Sequence, residues 1–419
     1  MIVRTASPLS LTLSAAILAA CDGASPPPPS EGVDIPEGPC GHALYVVSTD
    51  YQSTTVAVVG WDGAVLEGSI VSSGSATSGL SVPFSGDVVA PSARSTSGSI
   101  LLLDRYPTGV VSVIDPTAAS VDAQIDVRTG FSSNPQDILE VAPGKAYVSR
   151  YGQNPDPGAT AFDAGSDLVI VRLDDATLTG RVDLSLAMDG AEEGILPRPS
   201  KLARAGGSVF ALLSSYSADF LHSGDGRIAT IDPESDRVVG HTVLEGARGC
   251  STLAVSPGGH RLAVSCSGTF GGTSTPTIED SALLVLSVDD AGALHLESRI
   301  AAADLGDAPL APTLAFATDD VVLAGTLGAM NDQFEQTVPD RLLEITLSTG
   351  AARELLRSET RAFTLGDARC ELACGACFVA DADHQVVQRF SIDAAGVSAP
   401  SAIPLDDGIG LPPRYLGAF

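Results

Sequence analysis

Lysine is almost missing from this 419-residue chain, occurring at Lys145 and Lys201 alone, and lysine and arginine together number 23 against 51 acids. The formal net charge of −28 repels phosphate backbones and anionic headgroups, which excludes nucleic acid as a partner and any electrostatic grip on a membrane. Histidine is scarce: His42, His222, His241, His260, His295 and His384 include no His-Glu-x-x-His and no pair at metal spacing, so a zinc hydrolase of that kind is excluded. The Gly-x-Ser-x-Gly elbow, the phosphate loop and the dinucleotide fingerprint are missing too. Long helix-period runs are absent, which leaves an all-β chain.

What is present at the start is an export signal: Arg4, an apolar run from about Leu9 to Ala20, and small residues before Cys21. The run is about a dozen residues, short of the roughly 20 that span a bilayer. Leu18-Ala19-Ala20-Cys21 resembles the lipobox of bacterial lipoproteins. The resemblance implies cleavage before Cys21 and acylation of that residue, palmitate included, and several acyl chains anchor durably. Residues 1–20 then form the signal peptide and 21–39 a lipidated Cys21 with a Pro/Gly/Ser-rich tether, DGASPPPPSEGVDIPEGP. Residues 40–419 form the folded domain. The expected location is a bacterial cell envelope, on the inner or outer membrane, facing periplasm or exterior; Asp22 resembles the inner-membrane retention signal of enteric bacteria. The membrane is a partner through the lipid, and a monomer is expected.

Beyond the tether no second linker occurs, so internal repeats are the first thing to seek. Strand, aspartate, turn and strand recur in VAVVGWDGAVLEGSI (56–70), VVSVIDPTAASVDAQI (110–125), LVIVRLDDATLTGRV (168–182), GRIATIDPESDRVVGHTV (226–243), LLVLSVDDAGALHLES (283–298) and VVQRFSIDAAGVSAPSAI (386–403); LLEITLSTGAARELL (342–356) has Leu347 in place of the acid. Upstream, a P-x-x-Leu-like start opens a hairpin in PQDILEVAPGKAYVS (135–149), PSKLARAGGSVFALLS (199–214), CSTLAVSPGGHRLAVSC (250–266), APTLAFATDDVVLAGT (311–326) and RCELACGACFVAD (369–381). Two hairpins per unit make four strands, the blade of a β-propeller. The first unit, CGHALYVVS (40–48), lacks its opening strand, while LPPRYLGAF (411–419) has nothing after it. The C-terminal strand should complete blade 1 and close a ring of seven blades.

These residues resemble the YVTN family of β-propeller repeat proteins, whose V-x-V-I-D-x-x-T-x-x-V pattern follows a Y-V-x strand. The resemblance implies architecture and leaves activity open. It also implies kinship with propeller lactonases, which set acids and histidines around a central channel; no such set can be picked out here.

The repeated Asp62, Asp115, Asp174, Asp232, Asp289 and Asp393 each open a turn, where a carboxylate accepts a backbone N–H two residues on. Loop length is more informative. Blades 1, 2 and 7 join their second and third strands briefly, whereas blades 3 to 6 insert residues 151–167, 215–226, 267–280 and 327–340. All four insertions should lie on one face, where long loops on a rigid scaffold carry binding. The candidate face comprises Tyr151, Asp156, Asp163, Asp167, Tyr216, His222, Asp225, Phe270, Asp280, Asn331, Asp332 and Phe334. Its carboxylates could collect calcium, although no twelve-residue calcium loop is present; no other metal or cofactor is expected.

Cys370, Cys374 and Cys377 have the spacing C-x3-C-x2-C, which in a cytosolic enzyme would suit an iron–sulfur cluster. In an exported chain, six cysteines after Cys21 read as disulfides. Cys250 and Cys266 should lie opposite one another across their hairpin. Cys40 should bond one of Cys370, Cys374 and Cys377 where the ring shuts, the other two pairing together. The function expected is a lipid-anchored binding or scaffolding module, with a protein, glycan or small-molecule ligand. The alternative is a periplasmic or surface hydrolase, lactonase-like, that uses the long-loop face.

Overall fold

The computed structural model describes residues 30–269, 276–306, 308–393, 396–405 and 408–419. The leader, Cys21 and Phe270 lie outside the described residues. Seven antiparallel sheets stand around a central channel as a seven-bladed β-propeller. Blade 3 shows the plan, running outward through Pro135–Ala142, Lys145–Gln153, Gly165–Arg172 and Thr177–Val182. Second and third strands such as Leu44–Thr49 and Thr54–Val59 of blade 1 are buried along their whole length, because each is covered on both faces by neighbouring blades. Outer strands such as Thr177–Val182 are exposed or half-buried for most of theirs.

Apolar packing follows this radial plan. Seven clusters among the described residues each lie between two successive blades, for example Leu139, Tyr147 and Leu168 of blade 3 against Leu202, Val209 and Ala211 of blade 4. Among the described residues the apolar packing is divided between these clusters, so each blade depends on its two neighbours. Near the channel, hydroxyls tie inner strands together. Ser265 Oγ donates to the Ala311 carbonyl at 2.7 Å, Thr252 Oγ1 to Pro312 at 2.6 Å, and Thr313 Oγ1 to Gly366 at 2.7 Å.

The ring closes as the termini of the repeat pattern require: Pro413–Ala418 pairs with Leu44–Thr49 as the inner strand of blade 1. The structure bonds Cys250 to Cys266 and, of the pairings left open, joins Cys40 to Cys374 and Cys370 to Cys377. The first of the latter two ties blade 1 to the inner hairpin of blade 7, across 334 residues of sequence. Two boundaries differ from expectation. The inner strand of blade 7 is Leu365–Glu371, so the residues in P-x-x-Leu register are Leu365 to Ala368. Leu365 there faces Asp381, as Pro199 faces Leu213 in blade 4. The end of the tether, from Ser30, is docked rather than free: Val33 and Ile35 pack on the blade 1–2 cluster, and the Val33 amide donates to Pro116 at 2.8 Å. Two β-branched side chains in a Pro-rich stretch suffice for this docking.

Candidate functional site

Strands alternate in direction, so the second-to-third connections and the links between blades share one face. The four insertions lie there, with the links that enter each inner strand. Two insertions add short strand pairings, the hairpin of Ala329–Met330 with Gln336–Val338, and Tyr216–Ser217 with Ile195–Leu196 of the link entering blade 4. At the channel mouth on this face is a cavity of about 340 Å³ lined by Tyr151, Tyr216, Leu327, Phe363 and the seryl residues Ser214, Ser251 and Ser267.

Aromatic rings dominate the mouth although they are only 5% of the chain. Phe220 stacks on Tyr151 at 6.1 Å with an interplanar angle of 4°, and lies 6.2 Å from Tyr216. The Arg198 guanidinium covers Phe220 at 4.4 Å and Tyr151 at 5.6 Å. Its Nη1 donates to the Tyr151 carbonyl at 2.8 Å, so the arginine fixes both rings. Burial pushes the Tyr151 hydroxyl up to about 12 and lowers the Arg198 pKa. Across the mouth, Arg414 covers Tyr51 at 5.4 Å and donates to the Phe363 carbonyl at 2.9 Å.

The backbone marks the same face. Tyr51, Phe162, Phe220, Phe334 and Phe363 all have φ between 60° and 67°, the left-handed region that bulky side chains avoid. All five lie on long-loop-face connections. Conformations of this kind cost of order 1–3 kcal/mol each and persist where surrounding structure enforces them.

Several of the candidate carboxylates have other work. Asp163 accepts backbone N–H groups from Gly158, Ala159 and Thr160 at 2.9–3.0 Å, and these amides hold its pKa below the usual carboxylate range. Asp167 is buried and grips Arg150 bidentately at 2.8 Å. Asp225 pairs with Arg248 at 3.6 Å, Asp280 accepts from Thr269 Oγ1 at 3.0 Å, and the Asn331 amide oxygen receives the Gln333 and Glu335 N–H groups. Asp156, His222, Asp332 and Phe334 are exposed on the loops. Calcium has no nest here: no three His, Cys, Asp or Glu side chains gather to hold a metal among the described residues. Tyr151 and Tyr216 are the candidates that converge on the mouth, joined by Phe220 and Arg198.

No protein-family model matches the chain, and a search of curated proteins finds no match. Solved structures do resemble it. A hypothetical selenium-binding protein from Sulfolobus tokodaii is 10% identical with a TM-score of 0.57, covering 91% of this chain and 94% of that one. The periplasmic gluconolactonase of Pseudomonas aeruginosa is 13% identical with a TM-score of 0.52, covering 89% and 98%. The Cps50 (Swd1) β-propeller domain of Myceliophteria thermophila is 12% identical with a TM-score of 0.53, covering 81% and 93%. At such identities the shared property is the propeller.

Sequence reasoning missed the channel interior. The residue before the leucine position of each inner strand is polar in Asp137, Lys201, Thr252, Thr313 and Asp367. Asp137 is fully buried and accepts the Ser92 N–H at 2.9 Å, the Leu202 N–H at 2.8 Å and the Ser92 hydroxyl, tying blades 2, 3 and 4 together. Burial raises the pKa of Asp367. The signal was in the repeat alignment: one fixed column carrying polar residues beside an apolar one.

Proposed function

We propose that the chain is a lipid-anchored, exported binding module of YVTN-repeat type at a bacterial cell envelope, and that its ligand sits at the aromatic mouth. The observation that carries this reading is the stacking of Phe220 on Tyr151 under Arg198 beside Tyr216 at the mouth, on a face whose connections hold five aromatic residues in left-handed backbone. The mouth's flat rings and seryl hydroxyls suit a ligand with a ring to stack and hydroxyls to bond, such as a chain-end sugar. The docked tether also fits. Residues 33–35 lie beside Pro116 and Thr117 on the opposite face, so an anchor at Cys21 would turn the mouth away from the membrane.

The test compares wild type with Tyr216→Ala and Phe220→Ala for retention of envelope glycans and proteins on the immobilised protein. Unchanged retention by both variants removes the mouth from the argument. Labelling with palmitate, abolished by Cys21→Ser, checks the anchor. A second reading, a lactonase-like hydrolase, is favoured by the raised pKa of Asp367 in the channel and by the gluconolactonase among the structural neighbours. Lactone hydrolysis lost in Asp367→Asn would establish it.

A further inference from the structure

The half of the channel beyond the aromatic mouth encloses about 420 Å³ and carries four cations, Arg94, Lys201, Arg204 and Arg369, against two carboxylates, Asp367 and Glu371. Elsewhere some cations meet carboxylates, as Arg261 meets Glu297 at 2.8 Å and Arg150 is gripped by Asp167, while others such as Arg227 and Arg299 donate to backbone carbonyls. Within the channel, none of the four reaches a carboxylate at ion-pair distance among the described residues. Arg204 donates to the Val141 carbonyl at 2.9 Å, and Arg369 crosses the channel to the Ser92 carbonyl at 3.3 Å. Arg94 and Lys201 have no hydrogen-bond acceptor among the described residues. Burial lowers the Arg369 pKa in spite of Tyr45, Glu371 and Asp367, which act to raise it, and the like charge of Arg94 adds a smaller lowering. Much of the remaining wall is apolar, with Leu253, Leu314 and Phe316 among it. Lys201 and Arg369 are half-buried while Arg94 and Arg204 are exposed at the channel's end; with four cations to two carboxylates the cavity keeps an excess of positive charge, which an anionic ligand balances.

We propose that this half of the channel binds a small organic carboxylate, its head between Arg94, Lys201 and Arg369 and its carbon body against Leu253, Leu314 and Phe316. Guanidinium groups match the planar carboxylate with paired N–H donors. The volume lies within the range of small-molecule pockets, and an apolar wall with a few convergent polar groups is their usual lining. The site is separate from the aromatic mouth, although Pro312 borders both cavities, and it stands whether or not the mouth binds anything.

The experiment is isothermal titration of the mature protein with succinate and adipate, and with inorganic phosphate as the comparison anion. Expected are carboxylate binding that weakens with added salt, a loss of at least about tenfold in Lys201→Met and in Arg369→Gln, and a smaller loss in Arg369→Lys. Tyr216→Ala, at the other mouth, should leave carboxylate affinity unchanged, which keeps this result distinct from the glycan test. Circular dichroism confirms that each variant is folded, and Arg94→Gln serves if one is not. Absence of carboxylate binding, equal affinity in the folded charge-removing variants, or phosphate binding as tightly as the carboxylates would each overturn the proposal.

Discussion

Removing the Cys40–Cys374 bond should destabilise the protein more than removing either other disulfide. The three bonds close loops of 334, 16 and 7 residues. In the chain-entropy model those lengths correspond to about 6, about 3 and about 2.4 kcal/mol at 25 °C, because a crosslink acts mainly by restricting the unfolded chain. The two short bonds lie within hairpins whose strands already pair, Cys250 opposite Cys266 and Cys370 opposite Cys377. The long one lies where the ring shuts. A single tryptophan makes the assay specific, since Trp61 packs edge-on against Phe378 at 5.9 Å in the cluster between blades 1 and 7. Guanidinium unfolding followed by Trp61 fluorescence should show the lowest midpoint for Cys40→Ala with Cys374→Ala. The paired alanine variants of Cys250/Cys266 and Cys370/Cys377 should follow in that order. A Cys40/Cys374 variant that unfolds at a higher denaturant concentration than the Cys370/Cys377 variant would refute the reasoning.

Two further outcomes follow from charged groups. Asp167→Asn strips the buried Arg150 of its bidentate partner and should cost about 3–5 kcal/mol, whereas Arg150→Met with Asp167→Leu should recover most of that; thermal melts of the single and double variants decide it. His384 is opposed by burial but overcome by Asp381, whose carboxylate lies 2.9 Å from its Nδ1, and by Asp383 and Glu359, so its pKa is raised. Its contribution is therefore full below the ordinary histidine value and lost as pH rises through the folded one, and His384→Ala should flatten the melting profile as pH rises above about 6.5.

The blades were legible because each repeats a local rule. Asp62, Asp115, Asp232 and Asp289 each accept the backbone N–H two residues on, at 2.8–3.0 Å, so the turn chemistry written in the sequence is the chemistry found. Asp174 differs: its carboxylate meets Arg172 at 2.8 Å. The long-loop face was legible as loop length, since an insertion between two known strands has only one edge to leave from. Its working residues were less so. Phe220 and Arg198 come from different connections, and nothing local says that one will cover the other. Asp163 caps loop amides and Asp167 grips Arg150, roles that look the same in sequence as a carboxylate facing a ligand. Lys201 and Arg369 lie in different blades, and only ring closure sets them around one cavity.

That closure also sets a timetable. Leu44–Thr49 is among the first strands to be made, and its partner Pro413–Ala418 comes last among the described strands. At ribosomal rates of about 5–20 residues per second, the roughly 360 residues between them take on the order of 20 to 70 s. For that interval the nascent first blade presents a bare strand edge, the kind of surface that pairs with other chains. Blades 2 to 7 draw their strands from contiguous sequence and are free of this wait. A newborn chain is therefore most open to misassembly at its oldest part, and a shielding factor would be most useful there until the final strand arrives.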